Sequence, residues 1–263
     1  MRLSLRFFAD RRLQLLVLLS AAVCGTAHAD ALADLRATLQ RLSVDTPIHG
    51  VLDVRMQHLD QEEYDDQVPP GHLRLLIDAG DGLGIRLEPG QLQAIDQEQK
   101  AHDADSNQAT PDTDLVRIAG PVEVGHLLAE GPALLELLGG ATEPVVQPDT
   151  LDGAPAQQLT VQIPILTNRK YSAYAYGYKG SVVLWLDAQG LPLAYQRNFH
   201  AKFCRFFLCI TVNEEYDAKL KVVDGRLVAV SASDEFRQSG LGQGSHTRTD
   251  YALQLDSASA ASH

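Results

Sequence analysis

Several features that usually reveal a protein's chemistry are missing from this sequence. It has no Gly-x-Ser-x-Gly nucleophile motif, its histidines are not paired at metal-ligand spacing, and the glycine-rich stretch 240–244 does not open a helix after a strand, as a phosphate-binding loop does. The acidic stretch 60–66 lacks the ligand spacing of an EF-hand loop and is better explained as a solvated loop. We therefore expect no catalytic residues, no bound metal ion and no cofactor.

Basic residues and long apolar runs are also scarce. The chain carries 22 Lys and Arg against 34 Asp and Glu, a formal charge of −12. This excess of negative charge repels nucleic acids and anionic lipid headgroups. No apolar run reaches the roughly 20 residues that a membrane-spanning helix needs. The sequence therefore predicts a soluble monomer without a nucleic-acid partner and without a stable membrane span.

Residues 1–29 predict a cleavable secretory signal. Positive charge opens the segment, on Arg2, Arg6, Arg11 and Arg12. An apolar stretch of residues 13–23 follows, and residues 27–29 have the small-x-small pattern that a signal peptidase accepts. Cys24 offers a lipoprotein alternative, but Val23 stands before it, where lipoprotein signals have a small residue. We expect cleavage after Ala29 and a periplasmic location, with one strand-rich domain over residues 30–256 and a frayed tail over 257–263.

The two cysteines of the mature chain, Cys204 and Cys209, predict a disulfide. A lone pair in an oxidising compartment is more often a bridge than a metal site. A continuous strand would hold the two Cα atoms about 16 Å apart with the thiols on opposite faces, whereas a hairpin brings them together. The tip of this hairpin carries Phe206 and Phe207. The tip either contacts a membrane or a partner, or folds onto the protein's own core; the second interpretation is favoured.

The helical segments are predicted from apolar periodicity. Leucines at helical spacing indicate an amphipathic helix over residues 30–43. A short surface helix that fades into a loop is expected over residues 91–110. A third helix, over residues 121–138, is expected in two pieces that are separated at Gly131-Pro132.

Most of the rest of the chain has the pattern of strands. Period-two alternation begins at residue 48, and residues 145–255 contain several strands separated by Asp-Gly or other glycine turns. Such a series indicates antiparallel pairing between neighbouring strands. The fold class is therefore α+β, with a curved antiparallel sheet or half-open β-barrel and helices packed on its concave face.

Two apolar surfaces could enclose a ligand. The end of the 121–138 helix is too apolar for an exposed connection, and the segment 210–222 alternates apolar with polar residues. Glu214 interrupts the apolar side of this strand, and it lies either inside, near Tyr or Arg partners, or at a bulge or the rim. The residues expected to line the cavity are Leu134, Leu135, Leu138, Val212, Tyr216 and Ala218.

A group of tyrosines forms a second candidate site. Tyr174, Tyr176 and Tyr178 fall on one face of a strand if its alternation is regular, and basic residues flank them. They could line a cavity mouth that binds a headgroup or a glycan. Plain sheet packing is the commoner role of such tyrosines.

Five segments follow one another in a recognisable order: the leucines of 32–42, the strand 52–56, the Gly-Pro-Ala-Leu-Leu run at 131–135, the Leu-Asp-Gly turn at 151–153, and the segment 183–192. This order resembles the lipoprotein-localisation superfamily of periplasmic carriers. These carriers are half-open antiparallel barrels closed by helices around a cavity for acyl chains. The acidic insertion at 60–66, the loop at 101–112 and the cysteine pair have no counterpart in them.

The resemblance implies a protein that binds a lipid-like or other apolar ligand, or a lipidated protein, without catalysing a reaction. The alternative is a structural or interaction module of the cell envelope that acts through the hairpin tip or a sheet edge. The two hypotheses differ in one observable feature. A continuous apolar void between helices and sheet supports the carrier, and a filled core supports the interaction module.

Overall fold

The computed structural model describes residues 31–59, 68–164, 175–205, 208–240 and 243–256, which form one ten-stranded antiparallel sheet with five helices. The predicted secretory signal and C-terminal tail lie outside these residues. Within the described part of the chain, none of the helices is long and apolar enough to cross a membrane.

The strands are β1 (Ile48–His58), β2 (Gly71–Ala79), β3 (Leu83–Leu87), β4 (Thr142–Leu151), β5 (Ala154–Gln162), β6 (Ala175–Leu186), β7 (Pro192–Arg205), β8 (Leu208–Val223), β9 (Arg226–Gly240) and β10 (Gln243–Leu255). The helices are α1 (residues 31–41), α2 (Gln91–Ala104), α3 (Pro111–Ile118), α4 (Pro121–Leu128) and α5 (Glu130–Leu137). The predicted meander over the second half of the chain is therefore present.

The strand order across the sheet is β3-β2-β1-β10-β9-β8-β7-β6-β5-β4. Strand β1 pairs with β10. The first three strands therefore lie beside the last strand of the meander and not beside β4. Strands β3 and β4 form the two edges and do not pair with each other, so the sheet is not closed into a barrel. Helices α2 to α5 follow β3 and precede β4, and they therefore connect one edge of the sheet to the other.

One face of the sheet carries the hydrophobic core. Alternation in β1 buries Leu52 and Val54, and cross-strand pairing continues this face through Tyr251, Ala218 and Tyr195. Leucines of α1, α4 and α5 belong to the same buried cluster, so these helices pack on this face. We call it the covered face, and we call the opposite side, whose residues alternate with these, the open face.

The break in the apolar helix lies elsewhere than the sequence predicts. Helices α4 and α5 separate at Ala129, and Gly131-Pro132 falls inside the first turn of α5. Pro132 is tolerated there because backbone amides of a first turn have no helical acceptor. Gly131 is required by proximity: a Cβ atom would lie 2.8 Å from the carbonyl oxygen of Leu42, where α5 meets the end of α1.

Helix α2 confirms the predicted surface helix, and α3 is an element that the sequence analysis did not predict. The Glu98 carboxylate of α2 accepts hydrogen bonds from the backbone amides of Asp112 (3.2 Å) and Thr113 (2.8 Å). These amides belong to the first turn of α3, which needs such acceptors. Leu115 then inserts into the core with no exposed surface. The helix is stabilised by a contact from α2 that is not local in sequence.

Candidate functional site

A group of ionisable side chains lies on the covered face beside α4 and α5. Arg197 of β7, Tyr216 of β8 and Asp234 of β9 are direct cross-strand neighbours. Because paired residues project to the same side of a sheet, all three point towards the helices. We call the following set the acid–tyrosine cluster: Glu123, Glu130, Tyr195, Arg197, Glu214, Tyr216 and Asp234.

Glu130 is the most deeply buried acid of the cluster. It lies in the first turn of α5, its exposed fraction is 1%, and both of its carboxyl oxygens lie within 3.2–3.4 Å of the Tyr195 hydroxyl. Burial raises the pKa of Glu130 from 4.5 to about 8 because the charged form loses its hydration. The carboxyl group is therefore mostly neutral at pH 7.

The two tyrosines form an aromatic wall with Arg197 against it. The rings of Tyr195 and Tyr216 have centroids 5.6 Å apart, and the guanidinium carbon of Arg197 lies 5.0 Å from the Tyr216 centroid. Arg197 also forms an ion pair with Glu214. Burial raises the pKa of both phenols above the usual value of 10, so both hydroxyls stay protonated and can donate hydrogen bonds. Glu214 is therefore half-buried on the covered side of β8 with an arginine partner, which agrees with the partner expected in the first of its two sequence interpretations.

Asp234 and Glu123 complete the cluster. Burial, and next the negative charge of Glu214, raise the pKa of Asp234 to about 6. Its Oδ1 atom is buried and accepts no hydrogen bond from the residues that the structure describes. Burial also raises the pKa of Glu123, although His126 acts in the opposite direction. With Glu130 neutral, three carboxylates thus face one guanidinium, and the cluster has an excess of negative charge.

The cluster opens into a pocket of about 310 Å³ between the two helices and the sheet. The pocket wall combines acids, tyrosines, one arginine and one histidine with an apolar part from α5. Its lining consists of Glu123, His126, Glu130, Ala133, Leu134, Glu136, Leu137, Tyr195, Arg197 and Tyr216. Over the described ranges, no three His, Cys, Asp or Glu side chains converge to hold a metal ion. Carboxylates and tyrosine rings are both groups that attract a positively charged organic group.

The structure distributes the predicted cavity residues between the pocket and the core. Leu134 and Tyr216 both line the pocket, so these two are brought together. Leu138, Val212 and Ala218 are buried and do not line it, and Leu135 packs against the core while partly exposed. The space between helix and sheet is therefore largely filled by side chains.

The tyrosine group does not form one surface. Tyr174 lies outside the described residues. A register shift between Tyr176 and Lys179 interrupts the alternation on which the prediction depended. Tyr178 packs edge-on against Phe199 of the covered face at 5.4 Å, whereas Tyr176 pairs with Lys202 on the open face and is 57% exposed.

The predicted disulfide is confirmed. Cys204 and Cys209 are bonded, with Cα atoms 4.1 Å apart, and they are directly paired where β7 meets β8. Phe206 and Phe207, the predicted interaction tip, lie outside the described residues.

The sequence analysis missed five members of the cluster: Glu123, Glu130, Tyr195, Arg197 and Asp234. Arg197 and Asp234 had a detectable signal, because each occupies a core-facing position in an alternating strand, as Glu214 does. Glu130 had none, since its burial depends on how α5 is placed over β7.

Comparisons with known proteins add no relatives: no family model, curated protein or solved structure matches this chain. The resemblance to the lipoprotein-localisation superfamily therefore stays a prediction.

Proposed function

We propose that this chain is an exported binding protein without a catalytic role, and that it holds a small organic cation in the pocket of the acid–tyrosine cluster. The observation that carries the proposal is the charge of the cluster at and beside that pocket. Three carboxylates, of which Glu123 lines the pocket, share a single guanidinium on a partly buried surface, where uncompensated charge is costly. A bound cation would compensate the excess.

The raised pKa values of the acids support a cationic ligand. Asp234 and Glu123 have raised pKa values because burial removes hydration from their negative charges, and for Asp234 the charge of Glu214 adds to this effect. A positive charge placed near them would lower both pKa values again. Binding should therefore release protons near pH 6, and this release distinguishes a cationic ligand from a neutral one.

An organic ammonium group suits the pocket better than an anion does. The guanidinium of Arg197, the group that would attract an anion, is engaged by Glu214 and stacked on Tyr216. The Tyr195 and Tyr216 rings supply faces that attract a cation. The volume of about 310 Å³ is at the low end for ligand pockets, which favours a small molecule.

A lipid-like ligand stays a second proposal. It would also require the covered face to be the concave one, as in the half-open barrels. An acyl chain would have to displace core side chains, because Leu134, Leu138 and Ala218 already fill much of the space beneath α5. The cation is therefore the ligand that we test first, and a fatty-acyl probe serves as the direct competitor.

Calorimetric titration tests the proposal. Purified protein is titrated with spermidine, with choline and with a fluorescent fatty-acyl probe, in two buffers of different ionisation enthalpy at pH 6. We expect saturable binding of a cation with release of protons. Binding of the acyl probe alone, with no heat from either cation, would establish the lipid ligand instead.

A pocket-filling substitution localises the binding. Ala133 lines the pocket, and Ala133→Trp should abolish cation binding because the indole occupies the ligand volume. Ala94→Trp makes the same change at an exposed position of α2 and should leave binding unaltered. Cation binding that survives Ala133→Trp would place the ligand elsewhere.

Export is tested separately. Mass spectrometry of protein recovered from a periplasmic fraction should find an N-terminus at Asp30. An acylated Cys24 at the N-terminus would identify a lipoprotein instead.

A further inference from the structure

The open face carries two further recesses. One has a volume of about 470 Å³ and the other about 440 Å³. The first is lined at Ser181 and Asn198, and the second at Trp185, Ala194 and Asp217. These positions belong to successive cross-strand rows of β6, β7 and β8, so the two recesses follow one another along the strands. We call them together the open-face trough.

The trough is long enough for a chain molecule. On β7 its open-face positions run from Ala194, paired with Trp185, to His200, paired with Lys179. The six residue-to-residue steps between these positions span roughly 20 Å. One row further, Tyr176 pairs with Lys202 and is exposed, so an aromatic ring stands near each end.

The first recess is polar and balanced in charge. Its lining includes two basic residues, Lys179 and Arg237, and two acids, Glu215 and Glu235. Glu214 also lines this recess, and its carboxylate pairs with Arg197. Side chains of both hydrogen-bonding types are present, since the His200 ring bonds the Asn213 amide oxygen at 2.7 Å. The acidic excess of the whole chain is therefore not found here.

The second recess combines a fixed tryptophan with polar groups. The Trp185 indole nitrogen donates to the Asp149 carboxylate at 2.8 Å, which fixes the orientation of the ring. Arg248 donates to Asp250 at 3.0 Å within the same recess. Asp217 and Lys219 add one further charge of each sign, and Lys219 also pairs with Asp152 at 2.8 Å. An ion would gain little here because the charges already compensate one another.

We propose that the open-face trough binds a neutral oligosaccharide. Sugar hydroxyls both donate and accept hydrogen bonds, so they suit a surface where amides, carboxylates and basic groups alternate. The apolar face of a sugar ring packs on an oriented tryptophan, whose ring buries large area at little entropic cost. The balanced charge selects a neutral glycan over an anionic one, and the row spacing selects an extended chain.

The chain's single tryptophan makes the proposal directly measurable, because Trp185 lines the trough. Full-length protein is titrated with cellohexaose, maltohexaose and chitohexaose while tryptophan fluorescence and heat are recorded. We expect a saturable fluorescence change with at least one of them. The proposal is overturned if none of the three produces either signal up to its solubility limit.

Two variants place the binding in the trough. Trp185→Ala should weaken binding at least about tenfold by calorimetry. Asn198→Ala keeps the fluorescent reporter and should also weaken binding, which covers the case in which Trp185→Ala does not fold. Gln93→Ala, which removes an exposed amide from α2, is the matched control and should change nothing. Oligosaccharide binding that both trough variants retain at full strength would contradict the proposal.

Two further measurements distinguish a glycan site in the trough from binding in the cation pocket and from a polypeptide site. Ala133→Trp, which fills the cation pocket, should leave oligosaccharide binding unchanged, so either proposal can fail alone. A neutral peptide rich in Ser, Asn and Gln is titrated in parallel. If the peptide binds with the same losses on mutation and no oligosaccharide binds, the trough is a polypeptide site and the glycan proposal is wrong.

Discussion

The two faces of strand β8 show how one stretch of sequence produces two different chemistries. On the covered face, Glu214 and Tyr216 lie beside other ionisable groups beneath helices. On the open face, Glu215, Asp217 and Lys219 alternate with them and are exposed. The covered side is otherwise apolar and the open side polar, but both carry a glutamate, so the different surroundings of these two acids arise from burial.

The aspartates illustrate the comparison. Asp217 and Asp234 belong to neighbouring strands, and burial is the first cause of a raised pKa in both. Only Asp234, which lies near Glu214 on the covered face, reaches a pKa of about 6. Charge is therefore tolerated on the open face and is costly on the covered face. The comparison of the two faces leads to four measurable predictions.

The largest expected effect is the loss of packing on the covered face. Leu134→Ala removes a side chain that is 1% exposed and should lower the free energy of unfolding by about 2–5 kcal/mol. The matched control, Leu92→Ala on α2, changes a side chain that is 67% exposed and should cost less than about 0.5 kcal/mol. Chemical denaturation measures both. Equal effects would mean that the helix–sheet interface is loosely packed.

The next effect concerns Glu130 and depends on pH. Because its folded pKa is raised from 4.5 to about 8, its contribution to stability is fully present below pH 4.5 and is lost as pH rises through 8. Glu130→Gln removes this loss, so the variant should gain about 3 kcal/mol over the parent at pH 8 and little at pH 5. Unfolding curves at the two pH values test this.

The control for this experiment lies on the same helix. Glu136 is exposed, and Glu136→Gln should shift stability by less than about 0.5 kcal/mol at either pH. A Glu130→Gln variant that is destabilised equally at pH 5 and pH 8 would show that Glu130 is charged in the folded protein.

The disulfide provides a test on the open face. Cys204 and Cys209 close a short hairpin, so replacing both with Ser should cost about 1–3 kcal/mol. Because the bond lies at the end of β7 and β8, away from the residues that line the cation pocket, the variant should still bind a cation with parental affinity. Loss of cation binding without loss of stability would contradict the assignment of the pocket.

The smallest effect is expected at the two aspartates. Burial raises the folded pKa of Asp234 from 3.8 to about 6, so its stabilising contribution is lost as pH rises through 6. Asp234→Asn should therefore raise stability at pH 7 by about 1 kcal/mol, a value reduced for partial exposure. Asp217→Asn should change it by less than about 0.5 kcal/mol. If both variants change the free energy of unfolding by the same amount, the proposed difference between the two faces is wrong.

Much of the fold could be predicted because its determinants are local. Period-two alternation and Asp-Gly turns indicate the meander, and residues 152–153 and 224–225 do form such turns with positive φ. The cysteine pair is equally local, since two partners five residues apart leave a hairpin as the geometry that joins them. Helix α3 was missed because its stabilising contacts come from Glu98 and from the core.

The site could be predicted only in part, because it depends on contacts between distant segments. Tyr216 and Glu214 were recognised from the alternation of a single strand. Glu130 meets Tyr195 across 65 residues of sequence, and no local pattern records that contact. The regular alternation assumed for Tyr176 and Tyr178 failed because Gly177, with φ of 59°, accompanies a shift in register.

The pairing of β1 with β10 has a consequence for the time course of folding. Gly50 pairs with Leu255, so the first strand finds this neighbour only when the last strand is available. Strands β4 to β9 can pair in succession as each emerges, whereas closing the large loop between β1 and β10 comes late and slowly. The contact between β1 and β10 therefore has to form after the chain between them has been made.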